Sequence, residues 1–145
     1  MTQLPEVLTE PIGDRELTAQ QLAALNAANV GFAQLVGLEI THASGALLAG
    51  RVGVGEQHLQ VAGIVNGGVF AAIGETLGSA AAILTAGAPA IGMSNNTDLL
   101  RSVTGGTIEA EARPVHIGRR THLWRIEMRN DGALAAVTNL KLLIP

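Results

Sequence analysis

The 145-residue chain contains no cysteine. That excludes disulfides, thiolate metal sites and a thiol nucleophile. Aromatic residues are nearly absent: Phe32, Phe70 and Trp124 are the full set. The core must therefore be Ala, Val, Leu and Ile packed closely, with Gly permitting near approach. Charge is sparse as well, at 14% of residues and a net −3, which argues against non-specific nucleic-acid binding. There is no P-loop, no Rossmann fingerprint and no nucleophile elbow. His42, His58, His116 and His122 lack close ligand spacing, so no metal site is expected. Met1 to Leu17 has neither a basic n-region nor an apolar run, so it does not read as a signal peptide. It reads as a partly mobile lead-in of residues 1–17 to a single domain, 18–145, and the expected location is the cytoplasm.

What the chain does have is an α+β pattern. Thr18 to Gln21 has the form of a capping box opening a short helix to about Ala28, with Leu22 and Leu25 inward. From Val36 the period changes to two: Val36, Leu38, Ile40 and His42 share a face. Ser44-Gly45 signals a turn, and Leu47 to Val54 returns as the second strand of a hairpin. Glu56 to Val65 is a polar connection. A helix then runs from about Gly67 to Ala86, stopped by Gly87-Ala88-Pro89. Four strand-like runs follow, 90–103, 106–116, 119–130 and 133–144, read as a meander. In the third, Arg120, His122, Trp124, Ile126 and Met128 alternate with Thr121, Leu123, Arg125, Glu127 and Arg129. That marks an antiparallel sheet with one covered face, and one long helix fits across it.

The helix from Gly67 is apolar on nearly every side and carries one ionisable group, Glu75. A membrane-spanning reading of Ile64 to Gly92 is opposed by Glu75, by Gly67-Gly68 and Pro89, and by the lack of flanking Lys or Arg. A carboxylate in a buried helix needs a role or a partner. Arg101 or Thr76 are candidate partners if its role is structural. Asn66 is a strong N-cap, and Gly67-Gly68 leaves backbone N–H groups open at the positive end of a helix dipole. Two readings fit that pair: a site for a developing oxyanion, or simply a tight start to a packed helix. Eight residues separate Gly67 from Glu75, about 12 Å along the axis. One acyl carbon cannot touch both groups of one helix. If both act on one substrate, they come from two copies of the chain, and the active protein is a dimer. Ser79, one turn beyond Glu75, either orients the carboxylate or a water, or eases helix packing.

Arg113, Arg119, Arg120, Arg125 and Arg129 crowd one short span with His116 and His122. Arg119-Arg120 beside Gly118 suits a phosphate group. Arg125 and Arg129 fit a solvated strand face better.

Gly63-Ile64-Val65-Asn66-Gly67-Gly68-Val69 followed by Gly74-Glu75-Thr76-Leu77-Gly78-Ser79 resembles the central-helix signature of hotdog-fold acyl-CoA thioesterases. So do Asn95 to Ser102 and Arg113 to Arg120. The resemblance runs from about Gly31 to the C-terminus. It points to the branch with a Glu on this helix, which includes 4-hydroxybenzoyl-CoA thioesterase and 1,4-dihydroxy-2-naphthoyl-CoA hydrolase. It implies a hotdog fold, an antiparallel sheet wrapped around a long central helix. It implies hydrolysis of an acyl-CoA with no metal or redox cofactor. Glu75 would be nucleophile or general base, and the Gly67 N–H the oxyanion donor. Gln60 would hold substrate or water, and Ser79 matches the family's hydroxyl one turn after the Glu. His116, Gly118, Arg119 and Arg120 would meet the nucleotide end of CoA. The family's sites are shared across a homodimer, often a dimer of dimers. One departure stands out: the family carries His-Gly-Gly where this chain has Asn66-Gly67-Gly68. Asn can cap the helix but cannot act as an imidazole acid, so a non-catalytic acyl-CoA or small-ligand binding protein is the alternative.

Overall fold

The computed structural model describes residues 5–145. Residues 1–4 of the lead-in lie outside the described residues. The rest of that lead-in is packed: Leu8, Ile12 and Leu17 are buried, and the Ile12 N–H donates to the Leu84 carbonyl. The Leu17 N–H likewise donates to the Ala43 carbonyl.

Helix α1 spans Ala19–Ala27 and opens on the capping box expected from Thr18 and Gln21. Leu25 is buried, and Leu22 packs partly against the core. A short helix α2, Phe32–Val36, follows. This corrects the reading of Val36 as the start of a strand. Gly37 takes a left-handed conformation (φ 75°), which ends α2 and starts the extended chain later. Strand β1 is Glu39–Ala43 and β2 is Leu48–Gly53. The central helix α3, Gly67–Ala86, has the bounds that Asn66 and Gly87 suggest. Strands β3 (Ile91–Leu99), β4 (Thr107–Ile117), β5 (Thr121–Asn130) and β6 (Ala133–Leu143) complete the chain.

All strand pairings are antiparallel, and the six strands lie in the order β1-β2-β4-β5-β6-β3. The four-strand meander is thus corrected. Strands β4, β5 and β6 run side by side, but β3 crosses to the far edge and pairs with β6. Strands β2 and β4 become neighbours in its place.

α3 lies across the concave face. Ile73 and Leu77 are fully buried, with Ile108, Ile126, Met128, Leu140 and Leu142 of the sheet around them. Trp124, the largest core side chain, is 2% exposed. Gly74 and Gly78 let the helix approach β6, since a Cβ at Gly74 would strike Thr138 and one at Gly78 would strike Leu140. The helix is not buried all round, however. Ala71, Glu75, Thr76 and Ser79 are half-buried along its remaining face.

The two sheet edges differ. On the β1 edge the Asn26 amide acts as a neighbouring strand: it donates to the Ile40 carbonyl at 2.8 Å and accepts the Ile40 N–H at 2.7 Å. Asn29 donates to the Leu38 carbonyl at 3.0 Å. Among the described residues the β3 edge has no such cover. All its residues but Thr97 are exposed, including the apolar Ile91, Met93 and Leu99. A long uncovered edge with apolar side chains is a template for pairing with another chain.

Candidate active site

Glu75 points from α3 towards β3. Its Oε2 accepts a hydrogen bond from Asn95 Nδ2 at 3.0 Å, and that nitrogen also donates to the Ala71 carbonyl at 3.0 Å. Neither Arg101 nor Thr76 is its partner. Its Oε1 rests on Gly92, where a Cβ would collide with it. A local irregularity in β3 makes this possible. Residues 92 and 95 would face opposite sides of a regular strand, but Gly92 pairs with Leu142 and Ser94 with Lys141, leaving Met93 as an extra residue. The bulge turns both Gly92 and Asn95 towards Glu75. The carboxylate lies in an open cleft of about 370 Å³ lined by Phe32, Gly68, Ala71, Ala72, Thr76 and Asn95. Phe32, on α2, is 69% exposed and is the one aromatic among the described residues lining it.

Gln60 and Gly67 line a different, smaller cleft of about 190 Å³, together with Phe70, Leu99, Leu100 and Arg101. Asn66 Oδ1 accepts the Gly68 N–H at 2.8 Å, so Asn66 caps the helix as its residue type suggests. The Gly67 N–H donates to no acceptor among the described residues. It is a free donor at the positive end of a five-turn helix.

The candidate residues therefore fall into two groups within one chain. Glu75 is in one cleft, Gly67 and Gln60 in the other, and the clefts share no lining residue. Both border β3, through Asn95 and Leu99. Ser79 lines neither and makes no hydrogen bond to Glu75. A larger hollow, about 500 Å³, lies between the turn Glu6–Leu8 and α1 and contains none of these groups.

His58 is a buried residue whose role left no sequence signal. The Gly55 N–H donates to its Nδ1 at 2.9 Å, so Nε2 carries the proton and donates to the Val36 carbonyl at 2.9 Å. Its own carbonyl accepts the Asn66 N–H. One residue, through its ring and its carbonyl, thus ties the Gln60 loop, the end of α2 and the start of α3 together.

His116, Gly118, Arg119 and Arg120 lie at the β4–β5 hairpin and line neither cleft. Arg113 pairs with Glu111, while Arg125 and Arg129 both pair with Glu127. These two guanidiniums hold the Glu127 carboxyl below its ordinary range. Arg119 and Arg120 form no ion pair among the described residues. They are left open to an anion. Among the described residues no three His, Asp or Glu side chains converge on a point where a metal ion could sit.

Behind the hairpin, His122 is 3% exposed, and among the described residues neither its Nδ1 nor Trp124 Nε1 has a hydrogen-bond partner. Burial depresses the proton affinity of His122 and nearby His116 adds to this, against a hydrogen bond to the Gly118 backbone. In the unfolded chain it returns to about 6.5. As pH falls through that value the unfolded state takes the proton first, so stability drops until the folded imidazole also protonates. The urea midpoint should therefore fall between about pH 7 and pH 5, and more gently in His122→Leu.

Residues 62–136 match the family described as the thioesterase superfamily. The chain belongs to the thioesterase superfamily. It is 39% identical over 121 residues to the proofreading thioesterase EntH of Klebsiella pneumoniae, covering 81% of this chain and 85% of that one. Against EntH of Cronobacter turicensis the identity is 35% over 113 residues, 76% and 82% of the two chains. The crystal structure of a thioesterase from Haemophilus influenzae superposes with a TM-score of 0.82 at 29% identity, covering 92% of this chain and 94% of that one. The fold is the hotdog fold, a six-stranded antiparallel sheet on a long central helix. The helix long and apolar enough to cross a membrane, Gly67–Ala86, is this fold's core helix. The similarities reach EntH-type thioesterases and do not single out the hydroxybenzoyl- or dihydroxynaphthoyl-CoA branch.

Proposed function

We propose that the protein is a homodimeric acyl-CoA thioesterase whose two active sites each combine Glu75 of one chain with Gly67 and Gln60 of the other. The observation that carries this reading is the separation of those groups into two clefts on either end of an uncovered β3 edge. Antiparallel pairing of β3 with its copy about a two-fold axis near Asn96 sets the Gly92–Asn95 end of one strand against the Leu99–Leu100 end of the other. Each Glu75 cleft then meets the partner's Gly67 cleft. The half-buried face of α3 is covered in the same step.

In the composite site, the Gly67 N–H polarises the thioester carbonyl and stabilises the oxyanion. Glu75 either attacks the acyl carbon, expelling CoA as thiolate and leaving an anhydride that water opens, or deprotonates the attacking water. Both routes give the free acid and CoA. Asn66 supports the oxyanion site by capping the helix while leaving the Gly67 N–H free. Gln60 holds substrate or water, and Ser79 lies on the face turned to the partner. Arg119 and Arg120, with His116 and Gly118, receive the phosphates of CoA, and their lack of carboxylate partners supports this assignment. Dimers pair into tetramers, as the family resemblance implies. CoA esters are made and used inside the cell, so the reaction is cytoplasmic.

Free-thiol release from a panel of aliphatic and aromatic acyl-CoAs tests the reading. Turnover of at least one ester is expected. Tight binding of CoA esters without any turnover would instead favour the binding-protein alternative raised by Asn66.

A further inference from the structure

Asn95 does more than border the Glu75 cleft. An amide side chain has a donating and an accepting end of nearly the same shape. Which end faces a carboxylate decides between attraction and repulsion. Here two obligate acceptors make the choice: the Glu75 carboxylate and the Ala71 carbonyl both take the Nδ2 end. That leaves Asn95 Oδ1 for Thr97, whose Oγ1 donates to it at 2.8 Å. Thr97 has a single hydroxyl hydrogen. Having given it to Asn95, it must accept from Thr138, whose Oγ1 lies 2.7 Å away. Thr138 is fully buried, so no water competes for that bond. Both Nδ2 hydrogens are used, one on Glu75 and one on the Ala71 carbonyl one turn earlier. The chain of donors therefore runs in one direction, from the core to the carboxylate, and each bond polarises the next.

Three backbone features serve this chain. Thr97 and Thr138 are directly opposed on β3 and β6. Gly74 leaves the space that Thr138 fills under α3. The bulge at Met93 brings Gly92 and Asn95 to one side. We infer that Asn95 is the positioning residue of Glu75, oriented by the Ala71 carbonyl and held at its other end by the Thr97 hydroxyl, and that it fixes one carboxylate oxygen so that the other meets the substrate. The kinetic part of this inference rests on the thioesterase reading above.

The test compares wild type with Asn95→Leu, Thr97→Val and Thr97→Ser, using the acyl-CoA of the panel that wild type turns over fastest. Asn95→Leu should lower kcat by about tenfold or more with KM within about twofold, because orientation of the carboxylate and not substrate binding is lost. Thr97→Val should lower kcat several-fold by removing the donor that holds Asn95 Oδ1 in place, and Thr97→Ser should restore it. A second readout needs no activity: the side-chain amide signals of Asn95 by 15N NMR. In wild type both protons should exchange slowly with water, and Thr97→Val and Glu75→Ala should each abolish that protection. Unchanged kcat in Asn95→Leu and Thr97→Val, or losses confined to KM, would overturn the inference. So would an Asn95 amide that exchanges freely in wild type. If wild type hydrolyses no ester, the functional reading fails and the amide spectrum alone judges the positioning of Glu75.

Discussion

Glu75→Gln should reduce hydrolysis of CoA esters by about 10³-fold or more in kcat while leaving the fold intact. The amide is the same size as the carboxylate but neither attacks a carbonyl carbon nor takes a proton from water. The loss should fall on kcat, because Glu75 acts on the reacting atoms and the clefts that bind the ester keep their shape. Half-burial of Glu75 and its one neutral partner, Asn95, make the substitution structurally mild. The urea midpoint should stay close to that of wild type. Steady-state thiol release on matched preparations checks both statements. Retained activity would remove Glu75 from the chemistry even if the protein remains a thioesterase.

Gly67→Pro addresses the other half of the site. Proline lacks the N–H, and the first helical position is where proline is best tolerated. Asn66 already has the extended conformation that a following proline requires (φ −63°, ψ 135°). A Cβ at this position meets Leu99 Cδ1 at 2.5 Å, the far end of a flexible side chain, so the neighbour can move aside. The variant therefore deletes one hydrogen-bond donor with little else. If that donor stabilises the oxyanion, kcat should fall by about 10²–10³-fold. A loss under threefold would mean that the free N–H at the start of α3 has no part in catalysis.

The extent of α3 was legible in the sequence because both its ends carry capping chemistry, Asn66 at one and Gly87 at the other. The outward and inward faces of β5 were legible for a similar reason: from Trp124 to Arg129 apolar and charged residues alternate. The neighbours of a strand are another matter. Alternation tells which face is covered and nothing of which strand lies alongside, so the move of β3 to the far edge left no trace. Val36 belongs to an apolar set that suits a strand, and the left-handed Gly37 that ends α2 looks like any other glycine. The half-open face of α3 was read as buried because Ala and Gly carry no mark of what covers them. In the proposed dimer a second chain would cover that face and complete the burial.

The candidate site divides in the same way. Glu75, Gly67 and Asn66 stand out as a lone carboxylate and a glycine pair behind a capping residue. Asn95 and His58 do not. Asn95 sits in a polar run of an exposed strand, and only the bulge at Met93 turns it towards Glu75. His58 looks like one of several polar residues in a loop, although its ring is buried and bonded on both nitrogens. In both cases the function comes from where the backbone turns, which side-chain type does not encode.

Sharing of the site between chains is the centre of this account, and mixing the two inactive variants tests it. Glu75→Gln and Gly67→Pro are unfolded together and refolded as an equal mixture. If each site takes Glu75 from one chain and Gly67 from the other, a mixed dimer holds one site with both groups intact and one with neither. Half of the dimers are mixed, so activity should return to about a quarter of wild type, although each variant alone is nearly inactive. If each site lies within a single chain, every site in the mixture keeps one defect. Activity no higher than the mean of the two variants would contradict the shared site.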